Sequence, residues 1–335
     1  MIQENISLKD RNTFGIDAQA RFFAEVKSVT ELQEILQDAR WAEVEKMVLG
    51  GGSNVLLVGD VSGLVIHMSA VGKKVVEENE DELILEVGAG ENWHGLVMHC
   101  VAQGWGGIEN LSLIPGRMGA APIQNIGAYG VELKDVFVHL DAVEIASGKL
   151  RRFTHTDCAF GYRDSVFKRD LKGRYIITSV ALRLTKRNHS LNTGYGAISK
   201  ELEARGVTSP TIRDISEVVT AIRQSKLPDP AQIGNGGSFF KNPELPLAQY
   251  ESLKAQHPEL PGYVVSDTIM KVPAAWLIDR AGWKGRRFGN YGVHDRQALV
   301  LVNFGGAKGQ DIYDLSSEIK ASVAEKYGVD LEREV

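Results

Sequence analysis

The sequence predicts an α+β protein of more than one domain, and three observations lead to that prediction. The chain has 335 residues, more than one hydrophobic core usually serves, so two or three domains are expected. Segments with the apolar spacing of a helix are interleaved with segments that alternate apolar and polar residues as strands do. The strand segments resemble half-buried antiparallel strands, which favours α+β over a doubly wound parallel sheet.

Composition and charge exclude several classes of protein. Apolar residues make up 43% and charged residues 24% of the chain, as in globular proteins that dissolve in water. The net charge of −5 argues against a nucleic-acid partner or an acidic membrane. No apolar run approaches ~20 residues and no signal peptide is indicated, so a cytoplasmic location without a membrane partner is expected. Cys100 and Cys158 are too few for a disulfide framework or a thiolate metal site.

The first segment is predicted to form a βαβ-like unit. In "TELQEILQDARWA", Thr30 and Gln33 have capping-box spacing before an apolar helical face. "KMVLGGGSNVLLV" is then predicted to be strand, glycine turn and strand. The middle third is rich in strands, expected at 81–87, in "DVFVHLDAVEI" before a turn at Ser147-Gly148, and at 175–184, with one helix at 92–103.

The last part of the chain begins after a polar segment, 185–200, which lacks periodicity and is predicted to be a loop or insertion. A helix follows in "DISEVVTAIRQSKLPDP", with Asp214 and Glu217 at capping spacing, and Pro228 and Pro230 after it mark a domain boundary. Further elements are expected: the serine loop "GNGGSFFKNP" (234–243), a helix in "PAAWLIDRAG", a strand in "QALVLVNFG", a helix over 310–327 and a terminal strand in "VDLEREV".

Glycine is concentrated in two clusters that suit ligand binding. "VLGGGSNVLL" (48–57) follows a strand, and its backbone N–H groups could bind a pyrophosphate, although a plain tight turn explains it equally well. It is not the dinucleotide fingerprint, because Val55 occupies the third glycine position. "LSLIPGRMGAAPIQNIGAYG" (111–130) has small residues, amides and a single charge, which would let backbone approach a flat cofactor closely. A buried loop crossing is the alternative, but two clusters in one chain favour a cofactor.

Several charged residues have a functional and a plain structural interpretation. Arg163 in "FGYRDSVFK" could clamp a carboxylate or simply pair with Asp157 or Asp164. Arg223 and Lys226 end a helix, where cations complement the helix dipole.

The remaining polar residues are harder to interpret. Lys284 could contact a ligand, or it could be no more than a solvated charge in a loop. His94 and His99 lie five residues apart on different helix faces, so no metal is expected there. Ser238 has no histidine close by in sequence.

Six motifs occur in one order that resembles a known family. They are "NTFGI" (12–16), "VLGGGSNVLL", "IPGRMGAAPIQNIGAYG", "GYRDSVFK", "KLPDP" with "GNGGSFFKNP", and the terminal "LEREV". In these motifs the chain resembles the UDP-N-acetylenolpyruvoylglucosamine reductases of peptidoglycan synthesis, from about residue 10 to the last residue. "PIQNIGAYG" and "GSFFKNP" are distinctive individually, and their order is more so.

The resemblance implies a three-part architecture. Subdomains 1–70 and 71–227 would bind FAD non-covalently in the vanillyl-alcohol oxidase (PCMH) type of fold, and 228–335 would bind the UDP-sugar. Tyr195 in "NTGYGAI" resembles the closing tyrosine of the longer class. Arg117-Met118 departs from the smaller or aliphatic pair expected at that position.

The reaction implied is reduction of UDP-N-acetylglucosamine enolpyruvate to UDP-N-acetylmuramate by a monomeric enzyme, with NADPH as hydride donor. By motif match, Ser238 would supply a proton, while Arg163 and Glu334 would stabilise the substrate carboxylate as charge develops. The cofactor-binding residues would be Gly50, Gly51, Gly52, Ser53, Asn54, Gly116, Gly119, Gln124, Asn125, Gly127 and Ala128. Substrate contacts would be Tyr195, Arg223, Lys226, Asn242 and Lys284.

Three alternatives remain open on sequence grounds. Another flavoprotein of the same fold, oxidising a sugar or alcohol, should lack the serine loop and Glu334. A serine hydrolase is disfavoured because "GGSFF" is not a Gly-x-Ser-x-Gly elbow. A non-catalytic UDP-sugar-binding protein would be colourless when purified, whereas a flavoprotein would be yellow.

Overall fold

The computed structural model describes residues 2–335, which divide into two compact units. The first unit contains the N-terminal residues through Ile6, Ala20–Gly51 and Val61–Ser225. The second contains Ser7–Gln19, Gly52–Asp60 and Lys226–Val335. Two short N-terminal segments therefore belong to the same unit as the C-terminal third.

The strands and helices follow in chain order. The strands are β1 (Ile2–Ser7), β2 (Gln19–Val26), β3 (Lys46–Leu49), β4 (Val61–Met68), β5 (Lys73–Glu78), β6 (Glu82–Gly88), β7 (Gly127–Ala128), β8 (Val131–Glu132), β9 (Phe137–Glu144), β10 (Leu150–Thr154), β11 (Tyr175–Thr185), β12 (Gly234–Ser238), β13 (Glu244–Pro246), β14 (Tyr263–Ser266), β15 (Ile269–Lys271), β16 (Arg287–Phe288), β17 (Tyr291–Val293) and β18 (Val300–Asn303). The helices are α1 (Val29–Gln37), α2 (Trp93–Gln103), α3 (His155–Cys158), α4 (Gly196–Ala204), α5 (Ile212–Lys226), α6 (Leu247–Gln256), α7 (Ala274–Arg280) and α8 (Gly309–Tyr327). None of the helices in residues 2–335 is long and apolar enough to cross a membrane.

The first sheet has the strand order β1-β2-β4-β3, in which β2 and β3 run parallel to β4. This confirms the βαβ-like unit. The helix α1 is capped by Ser28, whose hydroxyl accepts from the N–H of Glu31, so the capping prediction for Thr30 and Gln33 is wrong. The strand expected after the glycine turn is also wrong, because the next strand, β4, begins only at Val61.

The second sheet of this unit is antiparallel, with the order β10-β9-β11-β6-β5. Its three central strands, β6, β9 and β11, confirm the strands predicted at 81–87, in "DVFVHLDAVEI" and at 175–184. The helix α2 confirms the helix predicted at 92–103. One face of the sheet packs with α2 around Trp93, Leu85, Leu140 and Leu182. This core supports the loop 111–130.

The polar segment after β11 differs in part from its prediction. Residues 196–200 belong to α4, which buries Ile198 and Leu202 against α5. The cap of α5 also differs: Thr211 and Asp214 bond reciprocally, each side chain accepting from the other's N–H. Asp214 is thus the last residue of the capping box, not its first.

The second unit holds an antiparallel sheet, β12-β18-β17-β16, and a small sheet, β13-β15-β14. The strand β18 and the helices α7 and α8 confirm their predictions, and α8 ends at the left-handed Gly328, with φ 63°. The serine loop begins as a strand, β12, instead of a loop. The terminal "VDLEREV" forms a single bridge, Phe240–Arg333, and no strand.

Candidate active site

Two glycine-rich turns of the first unit meet at backbone level. A Cβ added to Gly51 would lie 2.9 Å from the Cα of Gly116, so neither turn could approach as closely with a side chain there. The N–H groups of Gly51, Gly116 and Arg117 donate no hydrogen bond to any residue in 2–335. Gly116 has a φ of 109°, which glycine adopts readily. Unpaired N–H groups on two turns this close together suit an anion.

The loop 111–130 is held by its own polar groups. Asn125 is fully buried, donates to Glu132 and to the carbonyl of Gly161, and accepts from the N–H of Lys134. Its amide therefore supports the loop. Met118 packs in the core, and the N–H of Gly119 donates to Ala89 at 2.9 Å.

The predicted departure at Arg117 also has a structural role. Its guanidinium donates to the carbonyl of Gly90 at 2.9 Å. Gln124, Gly127 and Ala128 are half-buried along the same loop.

Leu113, within this loop, has a left-handed backbone with φ 59°. Its N–H donates to Nδ1 of His94 at 2.9 Å, and its carbonyl accepts from Nε of Arg223 at 3.3 Å. Desolvation, reinforced by the charge of Arg223, lowers the pKa of His94 and keeps Nδ1 available as an acceptor. Desolvation likewise lowers the pKa of Arg223, and the nearby positive charge of Arg163 acts in the same direction.

Arg163 lies beside the end of the loop. Its guanidinium donates to the carbonyl of Gly127 at 2.5 Å and lies over the ring of Tyr162 at 5.3 Å. Asp164 pairs with Arg169, and Asp157 pairs with Arg151 at 3.5 Å, so these carboxylates have other cationic partners.

Two tyrosines flank the same region. Tyr195, about half exposed, packs edge-to-face on Tyr129 with ring centroids 5.2 Å apart. Desolvation raises the pKa of Tyr129, so its phenol remains a neutral donor.

Ser238, in the second unit, ends the strand β12 opposite Val300 of β18. Its hydroxyl makes no hydrogen bond within residues 2–335, so its proton is available to a ligand. Phe239, which follows, is 1% exposed and packs edge-to-face on Phe14, and this contact anchors the segment. Gly237, with φ 74°, provides the turn before it.

The C-terminal segment lies along this serine segment within the same unit. The N–H of Glu334 donates to the carbonyl of Phe239 at 2.9 Å, one residue after Ser238. The carbonyl of Glu334 accepts from the side chain of Asn54 at 3.0 Å. Arg333 donates to Ser316 at 2.8 Å. Glu334 is therefore not frayed, although it is the penultimate residue.

The other predicted residues of the second unit have structural partners or lie at its surface. Gly52 presses on Arg11, since an added Cβ would lie 2.0 Å from that carbonyl. Asn242 accepts from the N–H of Ala274 and caps α7 at 3.0 Å. Lys284 is exposed and pairs with Asp279 at 3.1 Å. Ser53 is half-buried and Lys226 is exposed.

Sequence reasoning missed three contributors to the first unit's site: His94, Tyr129 and Leu113. His94 was considered only as a metal ligand. Tyr129 lies in "AYG", where only the small residues were expected to matter. A tyrosine beside so many small residues is itself an indication of a functional role. The strain at Leu113 has no signature in sequence.

The cysteines do not contribute nucleophiles in this structure. Both are fully buried, and desolvation raises the pKa of Cys100 and of Cys158 to about 12. A thiol so rarely ionised is a structural residue.

The glycine turns fit the diphosphate of FAD. The three unpaired N–H groups could donate to its anionic oxygens, and the absence of a Cβ at Gly51 lets the two turns that carry them pack together. When bound, FAD supplies hydride transfer. The loop 111–130 would be its neighbour in the first unit.

Comparison with known proteins defines first the class and then the family. A family model described as "FAD binding domain" matches residues 20–154, and one described as "UDP-N-acetylenolpyruvoylglucosamine reductase, C-terminal domain" matches residues 229–335. The chain is thus an FAD-dependent oxidoreductase. It is 51% identical over 334 residues to the UDP-N-acetylenolpyruvoylglucosamine reductase of Flavobacterium johnsoniae, covering 100% of this chain and 98% of the relative. The chain belongs to the UDP-N-acetylenolpyruvoylglucosamine reductase family.

Further comparisons agree on sequence and fold. The Pseudomonas putida reductase is 47% identical over 332 residues, which are 99% of this chain and 97% of that protein. The crystal structure of the Thermus caldophilus reductase matches with a TM-score of 0.70 at 24% identity, covering 100% and 98% of the two chains. The 6-hydroxy-D-nicotine oxidase of Arthrobacter nicotinovorans matches with a TM-score of 0.53 at 14% identity, covering 98% and 86%. The predicted α+β, PCMH-type fold is confirmed.

Proposed function

We propose that the chain reduces UDP-N-acetylglucosamine enolpyruvate to UDP-N-acetylmuramate in peptidoglycan synthesis, with FAD as carrier and NADPH as hydride donor. One observation carries the proposal. The unpaired hydroxyl of Ser238 lies on a segment to which the backbone of Glu334 is bonded, at Phe239. A proton donor and a carboxyl group are thus held on neighbouring segments, in a chain of this reductase family.

Ser238 acts in this proposal as the acid. Reduction of the enolpyruvyl double bond adds a hydride to one carbon and a proton to the other. A serine hydroxyl is a weak acid, but a carbanion-like centre is basic enough to take its proton if the two lie within about 3 Å and water is excluded. The buried Phe239 and Phe240 support such exclusion.

Glu334 and Arg163 act on the substrate carboxylate. Charge develops beside that carboxylate in the transition state, and complementary groups lower the barrier. Arg163 would pair with it, and Glu334 would hydrogen-bond its enolic form. Both roles follow from the family motifs.

Substrate contacts and organisation complete the proposal. Tyr195 closes over the substrate, as in the longer class, and its edge-to-face contact with Tyr129 supports a defined starting position. Lys226, Lys284 and Asn242 contact the sugar and diphosphate, and Asn242 would do so through its amide nitrogen because its oxygen caps α7. Arg223 binds there while holding Leu113. We propose a cytoplasmic monomer divided at residues 70 and 227.

The test is to separate the two half-reactions in Ser238→Ala. Reduction of bound flavin by NADPH should be nearly unchanged. Reoxidation by the enolpyruvyl substrate should slow about 10²- to 10⁴-fold, since only this step uses the proton. Anaerobic stopped-flow absorbance at the flavin band measures both steps.

A matched control is Ser252→Ala, which removes an exposed hydroxyl from α6 of the same unit. It should leave both half-reactions unchanged. Equal slowing of both steps in Ser238→Ala would contradict the role of Ser238 as acid. The same titration with NADH instead of NADPH tests the proposed donor.

A further inference from the structure

One face of the five-stranded sheet in the first unit brings a histidine and two carboxylates together. His139 and Asp141 are two residues apart on β9 and so point to the same face. Ala181 of β11 pairs with His139 on one side and with Glu86 of β6 on the other. Because Ala181 has only a methyl group, the longer side chains on either side can meet above it.

The ligand atoms already lie near one another. One atom from each of Glu86, His139 and Asp141 lies within 4.8 Å of the other two. In a tetrahedral zinc site, ligand atoms about 2.1 Å from the metal are about 3.4 Å apart. A bound metal ion would therefore draw the three side chains closer together, and Glu86 is only half-buried.

Two of these three side chains make no hydrogen bond or ion pair within residues 2–335, although the charge of Arg152 acts on His139 and the charge of Glu86 acts on Arg152. His139 makes no hydrogen bond, and its Nε2 is completely buried. Glu86 makes neither a hydrogen bond nor an ion pair. Buried polar atoms are normally hydrogen-bonded, so an imidazole nitrogen that has no protein partner and lies beside two carboxylates is available as a metal ligand.

We propose that Glu86, His139 and Asp141 form a binding site for one Zn²⁺ ion. An imidazole with two carboxylates suits zinc, whereas magnesium prefers an all-oxygen octahedron. Water would supply the fourth ligand. The site lies on the sheet and is separate from the proposed flavin loops.

Arg152 binds one of the proposed ligands, Asp141, and so competes with the metal ion. Its Nε and Nη2 each donate to an oxygen of Asp141 at 2.8 Å. The pair fixes the direction of the carboxylate, but its positive charge opposes a cation. Arg152 is 56% exposed and can turn into solvent. Removal of that charge should therefore strengthen metal binding.

The experiment is calorimetric titration of the tag-free, FAD-loaded protein with ZnCl₂, and separately with MgCl₂. One equivalent of Zn²⁺ should bind, and Mg²⁺ should not. His139→Gln should weaken binding at least tenfold, because even residues that only support ligands cost 10- to 100-fold. Glu86→Gln, a change at a partly exposed side chain, should also weaken zinc binding at least tenfold. Arg152→Gln should tighten zinc binding.

The matched control is His155→Gln, which removes an exposed histidine from the adjacent α3 and should bind Zn²⁺ as the unchanged protein does. Circular dichroism would verify that each variant is folded. The proposal would be overturned if the protein bound no zinc, or bound Mg²⁺ in place of Zn²⁺. It would also be overturned if zinc binding were unchanged in both His139→Gln and Glu86→Gln, or weaker in Arg152→Gln.

Discussion

Leu113 shows how single side chains shape the loop 111–130. A non-glycine residue in the left-handed region costs about 1–2 kcal/mol, and the surrounding contacts must hold it there. His94 and Arg223 do so by bonding the N–H and the carbonyl of this one residue. Because Gly116 follows closely in the chain, the direction in which its N–H points depends on this anchor.

We therefore expect His94→Ala to weaken FAD binding about 5- to 30-fold, since a buried N–H left without a partner costs about 1–2 kcal/mol. His94→Asn should restore part of the affinity, because its side-chain oxygen can replace Nδ1 as acceptor. Quenching of flavin fluorescence on titrating apoprotein measures the dissociation constant. His99→Ala, on the same helix, is the control, and equal losses in both variants would contradict the anchor.

At the scale of elements, the C-terminal segment depends on α8 for its position. Arg333 donates to Ser316 and to Ser317, at 2.8 and 2.6 Å, and lies over the ring of Tyr313 at 4.3 Å. All three partners are on α8. The position of Glu334 beside the serine segment is thus fixed from the residue before it.

Arg333→Ala should slow flavin reoxidation about tenfold or more while FAD affinity stays constant, because it would displace Glu334, which the proposed function places at the substrate carboxylate, and misplacement of such a group has a large effect on rate. Arg333→Lys, which keeps the charge but loses the second hydrogen bond, should recover part of the rate. Stopped-flow reoxidation and the flavin titration together measure both quantities. A loss of FAD affinity as large as the loss of rate would show that the helix, and not the tail, was disturbed.

For the whole molecule, desolvation lowers the pKa of three histidines, His94, His139 and His294, and this predicts how stability varies with pH. Desolvation is the main cause that lowers the pKa of His94 and of His294 below the usual 6.5; the charges of Arg223 and Arg296 add to it, and Asp295 opposes it at His294. The unfolded chain then binds more protons than the folded one once the pH falls below about 6.5. Stability should be full above that pH and decrease below it.

The midpoint of thermal unfolding, measured by calorimetry between pH 7.5 and 5.5, should therefore decrease with acidification. The double variant His94→Gln/His294→Gln should show a shallower dependence. If the two proteins have parallel profiles, the histidines are not responsible.

The sequence predicted regular elements and ordered motifs well, but not what depends on distant pairing. The strand at 175–184 and the helix ended by Gly328 carry their own patterns. The "GNGGS" strand was predicted as a loop because glycine is poor in strands, yet β18 supplies its hydrogen bonds. Glu86 and His139 meet only through the register of β11, which lies between their strands, and no local pattern encodes that register.

The second unit is built from segments that lie far apart in the chain, and this has a consequence for synthesis of the chain. The carbonyl of Phe14 accepts from Asn303, and the N–H of Asn235 donates to the carbonyl of Thr13. Segments 7–19 and 52–60 contact each other through Thr13 and Gly52, but their unit is completed only by residues after 226. At 5–20 residues per second, the ribosome needs roughly 10–30 s to make the intervening stretch. During that time these early segments lack their C-terminal partners, and the apolar Phe14, which is fully buried in the finished unit, is without the Phe239 ring that packs on it.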